Sequence, residues 1–386
     1  MLPEYRITAG FIPLTDSLLL VAALERGFAR DEGIDLTLVR ETSWANIRDR
    51  VAVGHFDVAH MLAPMPIAAT LGLNPIGVPV IAPMALGLGG NAVTVSTSLW
   101  GRMKAAGAPD DLSPGPVGAA LARVVEGTEQ KLRFGVVHQH SGHNYELRYW
   151  LAASGVDPDR QVEIVVLPPP LMTDALAAGR IDGYCVGEPW NSVAIANGAG
   201  HMATVKAAIW PRSPEKVLGV AESWAVYNPE ALAALLRALY RAAQWCAEPG
   251  NHEEAAALLA NPHYLGVPAA LVKPALIGRI DVGRATTMQV AEFFVPLAHR
   301  ATFPSVTHAM WFYTQMVRWG DVAHTAEHVA LARSSFRPGL YRAALRDIAE
   351  MPEADAWPLE AASFFDDRSF DPENVDGYIA SQRPYF

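Results

Sequence analysis

The chain has 386 residues, 51% of them hydrophobic, and a formal net charge of −10 at pH 7. This is enough chain for two domains of ordinary size, each with a buried core. The acidic balance argues against direct binding of RNA or DNA, because phosphate backbones are held by clustered basic surfaces. Proline, glycine or charge interrupts every apolar stretch well short of the roughly 18 residues that a membrane helix needs, so we expect no membrane segment.

Three strand-like segments alternate with two helical segments near the start of the chain. The strands are predicted at Arg6–Ile12, Ile34–Arg40 and Phe56–His60. Thr15 or Asp16 is placed to cap the first helix, and Gly33 supplies a left-handed stop after it. The second helix begins near Trp44, which starts an apolar face of helical period.

The same order of elements recurs later in the chain. A strand at Leu132–His138 leads through a polar loop into a helical run that is closed by Gly155. Both copies then read Gly-x-apolar-Asp, a short strand and a proline turn, starting at Gly54 and at Gly179. Two such α/β lobes face one another across a cleft, which is where small ligands bind. The repeat therefore predicts a two-lobed α/β fold with a ligand cleft between the lobes.

The remaining segments predict how the lobes are connected. The run Ala92–Ser96 crosses into the second lobe, and His201–Ile209 and Val217–Val226 are predicted strands that return to the first. Pro229 begins a helix that continues through Ala247. We therefore expect residues 1–90 and 203–386 to form lobe I and residues 91–202 to form lobe II. Beyond about residue 251 the pattern is helical, and the last twenty residues are predicted to be an arm.

Several enzyme signatures are missing from the chain. The loop Gly87–Asn91 is rich in glycine but lacks the Lys-Ser/Thr of a P-loop and the third glycine of a dinucleotide turn. No Gly-x-Ser-x-Gly segment is present to hold a nucleophile. Cys185 and Cys246 lack Cys-x-x-Cys spacing and lie in apolar runs, so we expect buried free thiols. The sequence therefore offers no support for a hydrolase, and we expect that the protein is not an enzyme.

Three histidines lie close together in the polar loop of the second copy. His138, His140 and His143 have a spacing from which imidazoles could converge on one metal ion. They also suit a loop that donates hydrogen bonds to a ligand at the end of a strand, which we favour. A third interpretation places them on an exposed turn with a purely structural role.

Five ordered motifs resemble the nitrate- and bicarbonate-binding proteins of ABC transporters, the NrtA/CmpA family. They are Ser43-Trp44-Ala45-x-x-Arg48-Asp49, His60-Met61-Leu62-Ala63-Pro64-Met65-Pro66, Arg148-Tyr149-Trp150-Leu151-Ala152-Ala153, Cys185-Val186-Gly187-Glu188-Pro189-Trp190 and Pro214-Glu215-Lys216-Val217-Leu218-Gly219. The similarity extends from Arg6 to about Leu340. It implies the two-lobed, type II periplasmic-binding-protein fold with a helical C-terminal part.

The resemblance also implies a set of ligand-binding residues. In nitrate-binding relatives the anion is held at positions that correspond here to Trp44, Asn91, His143, Gly187 and Lys216. Asn91 departs from the glutamine expected at its position and is shorter by one methylene group. No cofactor and no metal ion are implied for this site.

The cleft walls are assigned to the two strand-proline ends of the repeat. We expect His60 and Pro64 to line one wall, and Glu188, Pro189 and Trp190 to line the other. The second end is also expected to touch the anion directly through Gly187.

The charge of Lys216 bears on the choice of ligand. Nitrate offers only acceptor oxygens, so its site needs donors from several directions and one compensating cation. We expect Lys216 to supply that charge. Bicarbonate-binding relatives place a carboxylate at this position and recruit calcium, an arrangement that an ammonium group would oppose.

Membership of this family leaves the biological role open. No export leader precedes the first strand, so we expect a cytoplasmic protein of the NasS type, which senses nitrate or nitrite. In that branch the sensor holds an ANTAR-type RNA-binding antiterminator, NasT, inactive until the anion binds. The alternatives are a periplasmic receptor for nitrate or bicarbonate in an ABC transporter, and an enzyme on the same fold. Catalytic relatives that process pyrimidine-like substrates need a nucleophile that the sequence does not offer.

Overall fold

A computed structural model describes residues 4–349, 352–356 and 364–382 of the chain. The strands are β1 (Tyr5–Phe11), β2 (Ile34–Arg40), β3 (Val58–Leu62), β4 (Val80–Ala85), β5 (Leu88–Gly89), β6 (Asn91–Ser96), β7 (Leu132–Val136), β8 (Val162–Val166), β9 (Gly183–Gly187), β10 (Gly200–Val205), β11 (Lys216–Ala221), β12 (Arg279–Gly283), β13 (Thr286–Gln289) and β14 (Phe294–Val295).

Helices surround the strands and dominate the later half of the chain. They are α1 (Leu18–Glu25), α2 (Phe28–Asp31), α3 (Trp44–Ala52), α4 (Pro64–Thr70), α5 (Thr97–Ala105), α6 (Pro114–Glu126), α7 (Gly142–Ala153), α8 (Met172–Ala177), α9 (Trp190–Ala196), α10 (Lys206–Ile209), α11 (Glu222–Tyr227), α12 (Pro229–Ala247), α13 (His252–Ala260), α14 (Ala269–Ile277), α15 (Val306–Arg318), α16 (Ala326–Ser335), α17 (Pro338–Leu345) and α18 (Val375–Ser381). None of these described helices combines the length and apolar character needed to cross a bilayer.

Two five-stranded sheets form the centres of the two lobes. The first has the order β2-β1-β3-β11-β4, and the second has the order β10-β6-β9-β7-β8. In the first sheet β1 runs parallel to β2 and β3, and β11 runs antiparallel to β3. In the second sheet β7 runs parallel to β8 and β9, and β6 runs antiparallel to β9. The repeat found in the sequence is therefore also a repeat of topology, and the predicted two-lobed α/β fold is confirmed.

The chain changes lobes twice in the described region. It enters the second sheet at β6 and returns to the first at β11. The expected change between residues 202 and 203 falls inside β10, where Thr204 and Val205 still pair with Val93 and Ala92. The strand predicted at Val217–Val226 ends at Ala221 instead, because its partner Val80 is the first residue of β4. Beyond that pair the chain turns into α11.

The C-terminal part corrects the prediction of an arm. Its described portion, residues 364–382, packs against the body of the protein, with Phe370 and Tyr378 buried. The indole Nε1 of Trp311 on α15 donates to the hydroxyl of Tyr378 on α18 at 3.0 Å. Tyr149 on α7 of the second lobe donates to a carboxylate oxygen of Asp366 at 2.9 Å. Residues 383–386 of the expected arm lie outside the described residues.

Candidate functional site

The ends of strands and the first turns of two helices bring the predicted site residues together between the lobes. Trp44 is the first residue of α3, which Ser43 caps by accepting a hydrogen bond from the Asn46 amide at 3.2 Å. His143 lies in the first turn of α7, where Ser141 accepts from the Asn144 amide at 3.0 Å. Both helices start from a serine cap, which fixes where the first turn of each helix begins.

The other three predicted residues lie at the ends of antiparallel strands. Asn91 begins β6 and pairs directly with Gly187, the last residue of β9. Lys216 begins β11 and pairs with Leu62 at the end of β3. A Cβ atom added to Gly187 would lie 3.1 Å from Asn91 Oδ1 and 3.6 Å from Asp16 Oδ2. The absent side chain of Gly187 therefore leaves the Asn91 amide and the Asp16 carboxylate facing one small space.

Lys216, which the sequence predicted to compensate the charge of the anion, already has two acidic partners. Its Nζ lies 2.7 Å from Asp16 Oδ2 and 2.7 Å from Glu215 Oε1, and it lies 5.5 Å from the centre of the Trp44 ring. Lys216 is also fully buried. A buried ammonium group requires such partners, because an unpaired one would be too costly to desolvate. Its charge is therefore already matched by carboxylates.

The ionic network extends from Lys216 to a second lysine. Nζ of Lys206, at the start of α10, lies 2.9 Å from Glu146 Oε1 and also contacts the carboxylate of Glu215. The same ammonium group donates to the Pro214 carbonyl at 2.9 Å. Glu215 thus joins both lysines and connects a helix of the second lobe to a strand of the first.

The pKa directions follow from burial and from these pairs. Burial opposes ionisation of Asp16 and Glu215, but the neighbouring cations more than offset it, so the pKa of Asp16 is lowered and that of Glu215 lies well below its usual range. Burial raises the pKa of Glu146 to about 7, although Lys206 acts in the opposite direction. Burial lowers the pKa of His143 to about 3 and also lowers the pKa of His60.

Several buried polar atoms at the site have no hydrogen-bond partner in the part of the chain that the structure describes. They include Trp44 Nε1, Thr15 Oγ1, both amide atoms of Asn91 and the ring nitrogens of His60 and His143, together with the carboxylate oxygens Asp16 Oδ1, Glu146 Oε2 and Glu188 Oε1. His60 Nε2 lies 2.9 Å from Asp16 Oδ1, and His143 Nε2 lies 3.1 Å from Glu215 Oε1, but neither pair is aligned for a hydrogen bond. Buried polar groups are normally satisfied, so this cluster marks a place for a polar ligand.

The residues expected to line the two walls differ in their contacts. On the first wall, the His60 ring is tilted against Trp44 at 5.5 Å, and Pro64 begins α4. On the second wall, Glu188 accepts from the Ser192 amide through Oε2 at 3.1 Å, and burial raises its pKa to about 7. Pro189 follows through a cis peptide bond.

Two hydrogen bonds join the walls directly. The Thr15 amide donates to the Glu188 carbonyl at 2.7 Å. The indole Nε1 of Trp190 donates to the Pro13 carbonyl at 3.0 Å. The lobes are therefore in contact around the site, with the site residues buried between them.

The histidine loop does not form a metal centre in the described residues, where no suitable group of three ligands occurs. His143 faces Glu215, whereas His140 lies 3.0 Å from the Tyr145 hydroxyl through Nδ1. His138 accepts from the His140 amide at 3.0 Å. All three histidines are buried, so an exposed turn is also wrong.

Sequence reasoning missed the acidic half of the site. Asp16 was expected as a helix cap, but neither Thr15 nor Asp16 caps α1, and Asp16 binds Lys216 instead. The motif containing Lys216 drew attention to the lysine and passed over Glu215 beside it. One signal in the sequence could have found it: Glu215 and Lys216 are adjacent charged residues at the start of a strand that is otherwise apolar.

Two lobes with a buried polar site between them define this chain as a two-lobed binding protein of the periplasmic-binding-protein fold. The crystal structure of the periplasmic nitrate-binding protein NrtA from Synechocystis matches it with a TM-score of 0.90 and 28% identity, over 99% of this chain and 100% of that one. The model of the NMT1-like family matches residues 2–260.

Sequence relatives agree with the structural match. The chain is 33% identical to the nitrate/nitrite binding protein NrtA of Synechococcus elongatus, over 98% of this chain and 86% of that protein. It is 34% identical to the nitrate import ATP-binding protein NrtC of Synechocystis, over 98% of this chain. It spans only 55% of the length of that second relative. The chain belongs to the NrtA/CmpA-like nitrate/bicarbonate-binding protein family, within the NMT1-like family.

Proposed function

We propose that this protein binds nitrate or nitrite between its lobes as the substrate-binding protein of an ABC transporter. The observation that carries the proposal is the cluster of buried, unpartnered donors at Trp44, Asn91, His60 and His143. A small oxyanion with acceptor atoms on several sides would satisfy these donors together. The NrtA relatives, which are named as nitrate-binding or nitrate/nitrite binding proteins, support the same ligand.

The amide of Asn91 tests this site with little risk to the fold. Replacement by leucine keeps a similar volume and removes both polar atoms, which have no partner among the described residues. We expect Asn91→Leu to weaken nitrate binding by about 10- to 100-fold, because a hydrogen bond to a charged group contributes roughly 1.5–3 kcal/mol. Isothermal titration calorimetry with sodium nitrate measures the affinity.

Controls separate ligand choice from general damage. Asn197→Leu changes an exposed asparagine at the end of α9 and should leave nitrate affinity unchanged. Titrations of the unaltered protein with nitrite, bicarbonate and chloride rank the anions. Tight binding of bicarbonate but not of nitrate would show that the ligand belongs to the other class of the family. Equal nitrate affinity in Asn91→Leu and the unaltered protein would show that Asn91 does not contact the ligand.

The narrower hypothesis of a cytoplasmic NasS-type sensor is a second proposal. The relative NrtC is named for nitrate import and the NrtA structure is named as periplasmic, and both names favour the transport role. Cell fractionation tests location, and a pull-down with and without nitrate tests for an ANTAR-type antiterminator partner. Release of an RNA-binding partner on addition of nitrate would support the sensor, whereas a periplasmic pool would support the transporter component.

A further inference from the structure

Both lysines beside the site are already matched by carboxylates. Lys206 and Lys216 face three carboxylates, those of Asp16, Glu146 and Glu215. Each ammonium group contacts two carboxylates. Within the described residues of this network, an entering monoanion therefore meets no lysine whose charge is free to compensate it.

A buried anion without compensation would be strongly disfavoured. Desolvating an unpaired charge costs several kcal/mol even after a protein relaxes around it. The site must therefore gain positive charge when the anion enters. Protonation of a neutral imidazole would supply it, and so would protonation of a buried carboxylate such as Glu146, whose pKa burial raises to about 7. Replacement of the imidazoles distinguishes the two.

Two imidazoles lie close enough to a carboxylate for this role, although neither contact is aligned as a hydrogen bond in this structure. His143 places Nε2 3.1 Å from Glu215 Oε1, and His60 places Nε2 2.9 Å from Asp16 Oδ1. The Nδ1 atom of each ring has no partner in the described structure. A neutral imidazole carries one N–H group, so it cannot donate both to the carboxylate on one side and to an anion on the other. Only the imidazolium form donates from both nitrogens.

We propose that the site takes up its anion together with one proton, which is held on the imidazole of His60 or His143. This inference rests on the proposed binding of a monoanion. The buried site then holds both the anion and the proton. One N–H group of the imidazolium ring donates to the adjacent carboxylate, and the other donates to the anion.

The surroundings of both rings are consistent with neutrality in the empty protein. His60 is faced by Asp16, by Trp44 of α3, and by Glu215 and Lys216 at the start of β11. His143 is faced by Glu215, Lys216, Lys206 of α10 and Asp16. Burial lowers the pKa of both rings, and to about 3 for His143. An anion beside either ring would raise that pKa and draw a proton from solvent.

Calorimetry with sodium nitrate tests the proposal on the full chain. Titrations at pH 7 are compared in phosphate and in Tris buffer, which have different ionisation enthalpies. The difference in binding heat between the two buffers is proportional to the number of protons taken up. We expect uptake of about one proton per nitrate, and an affinity that weakens about tenfold for each unit of pH increase between pH 6 and pH 8. Nitrate binding without proton exchange would overturn this inference and leave the proposed function intact. No nitrate binding at all would overturn both.

Variants and spectroscopy identify the group that holds the proton. His60→Gln and His143→Gln are compared with His263→Gln, which replaces an exposed histidine. The variant that lacks the proton carrier should lose proton uptake, and the control should keep it. Proton uptake that survives in the double variant would overturn the assignment. Nitrogen NMR of the imidazole rings in the unaltered protein, with and without nitrate, gives the same answer if a variant binds too weakly.

Discussion

The end of β3 and the end of β9 occupy matching places in the two sheets but contribute different chemistry to the cleft. The first brings the imidazole of His60 against Trp44 and beside Asp16. The second brings Gly187, which contributes open space, and Glu188, whose main-chain oxygen contacts the other lobe. At these two strand ends, the first copy contributes an imidazole, and the second contributes room and a point of contact.

The difference shows how a duplicated unit forms an asymmetric site. The topology of the two sheets stays the same, with each central strand flanked by one parallel and one antiparallel neighbour. The antiparallel neighbours differ at their first residues, which are Lys216 in the first sheet and Asn91 in the second. At this place the first sheet therefore presents a charged lysine, and the second sheet presents a neutral amide.

Removing the lysine tests whether the first lobe carries the charge. Lys216→Ala would leave Asp16 and Glu215 buried without their shared cation, so we expect a loss of about 3–5 kcal/mol in the free energy of unfolding. We also expect loss of nitrate binding. Chemical denaturation measures the first effect. Lys273→Ala, which removes an exposed ion pair with Glu253, should cost less than about 1 kcal/mol. Similar stability of both variants would show that the network is not important for the fold.

Filling the space at Gly187 tests the role assigned to the second lobe. The methyl group of Gly187→Ala would lie 3.1 Å from Asn91 Oδ1 and 3.4 Å from Leu14 Cδ2. Crowding of this kind typically costs about 1–3 kcal/mol, so we expect nitrate affinity to fall by about 5- to 100-fold. Gly77→Ala adds a methyl group to open space and should bind normally. Unchanged affinity in Gly187→Ala would mean that the ligand lies elsewhere.

The contact between the lobes gives the smallest expected effect. Trp190→Phe removes the indole N–H that donates to the Pro13 carbonyl. We expect it to lose about 0.5–1.5 kcal/mol more stability than Trp100→Phe, because Trp100 Nε1 has no partner in the described residues and so loses none. Thermal unfolding monitored by circular dichroism compares the two variants. Equal losses of stability in the two variants would show that the hydrogen bond from Trp190 to Pro13 does not stabilise the protein.

Local patterns were sufficient to predict the repeated fold, because strands, helices and glycine stops depend on near neighbours in the chain. The second helix of the first copy and the long helix that begins at Pro229 were predicted correctly for this reason. The hairpin of β12 and β13 was missed, because its turn uses Arg284 and Ala285 in left-handed conformations where glycine would be expected.

The contacts within the site could not be predicted, because they join distant parts of the chain. Asp16 and Lys216 are 200 positions apart, and no periodic pattern links them. A family resemblance directed attention to five positions, all of which lie around the cleft. It could not show that the lysine among them already had two acidic partners. The sequence also could not show which sheet β10 joins, because the pattern of a strand does not specify the strands beside it.

The two hydrogen bonds that join the walls both end on main-chain oxygens, those of Pro13 and Glu188. Substitution of the side chain at either position leaves these acceptors in place. The donors that face the ligand are side chains and can change independently. Of the two donors that join the walls, one is the side chain of Trp190, but the other is the main-chain amide of Thr15. A lineage could therefore exchange one anion for another by changing side chains and still keep this second contact between the lobes.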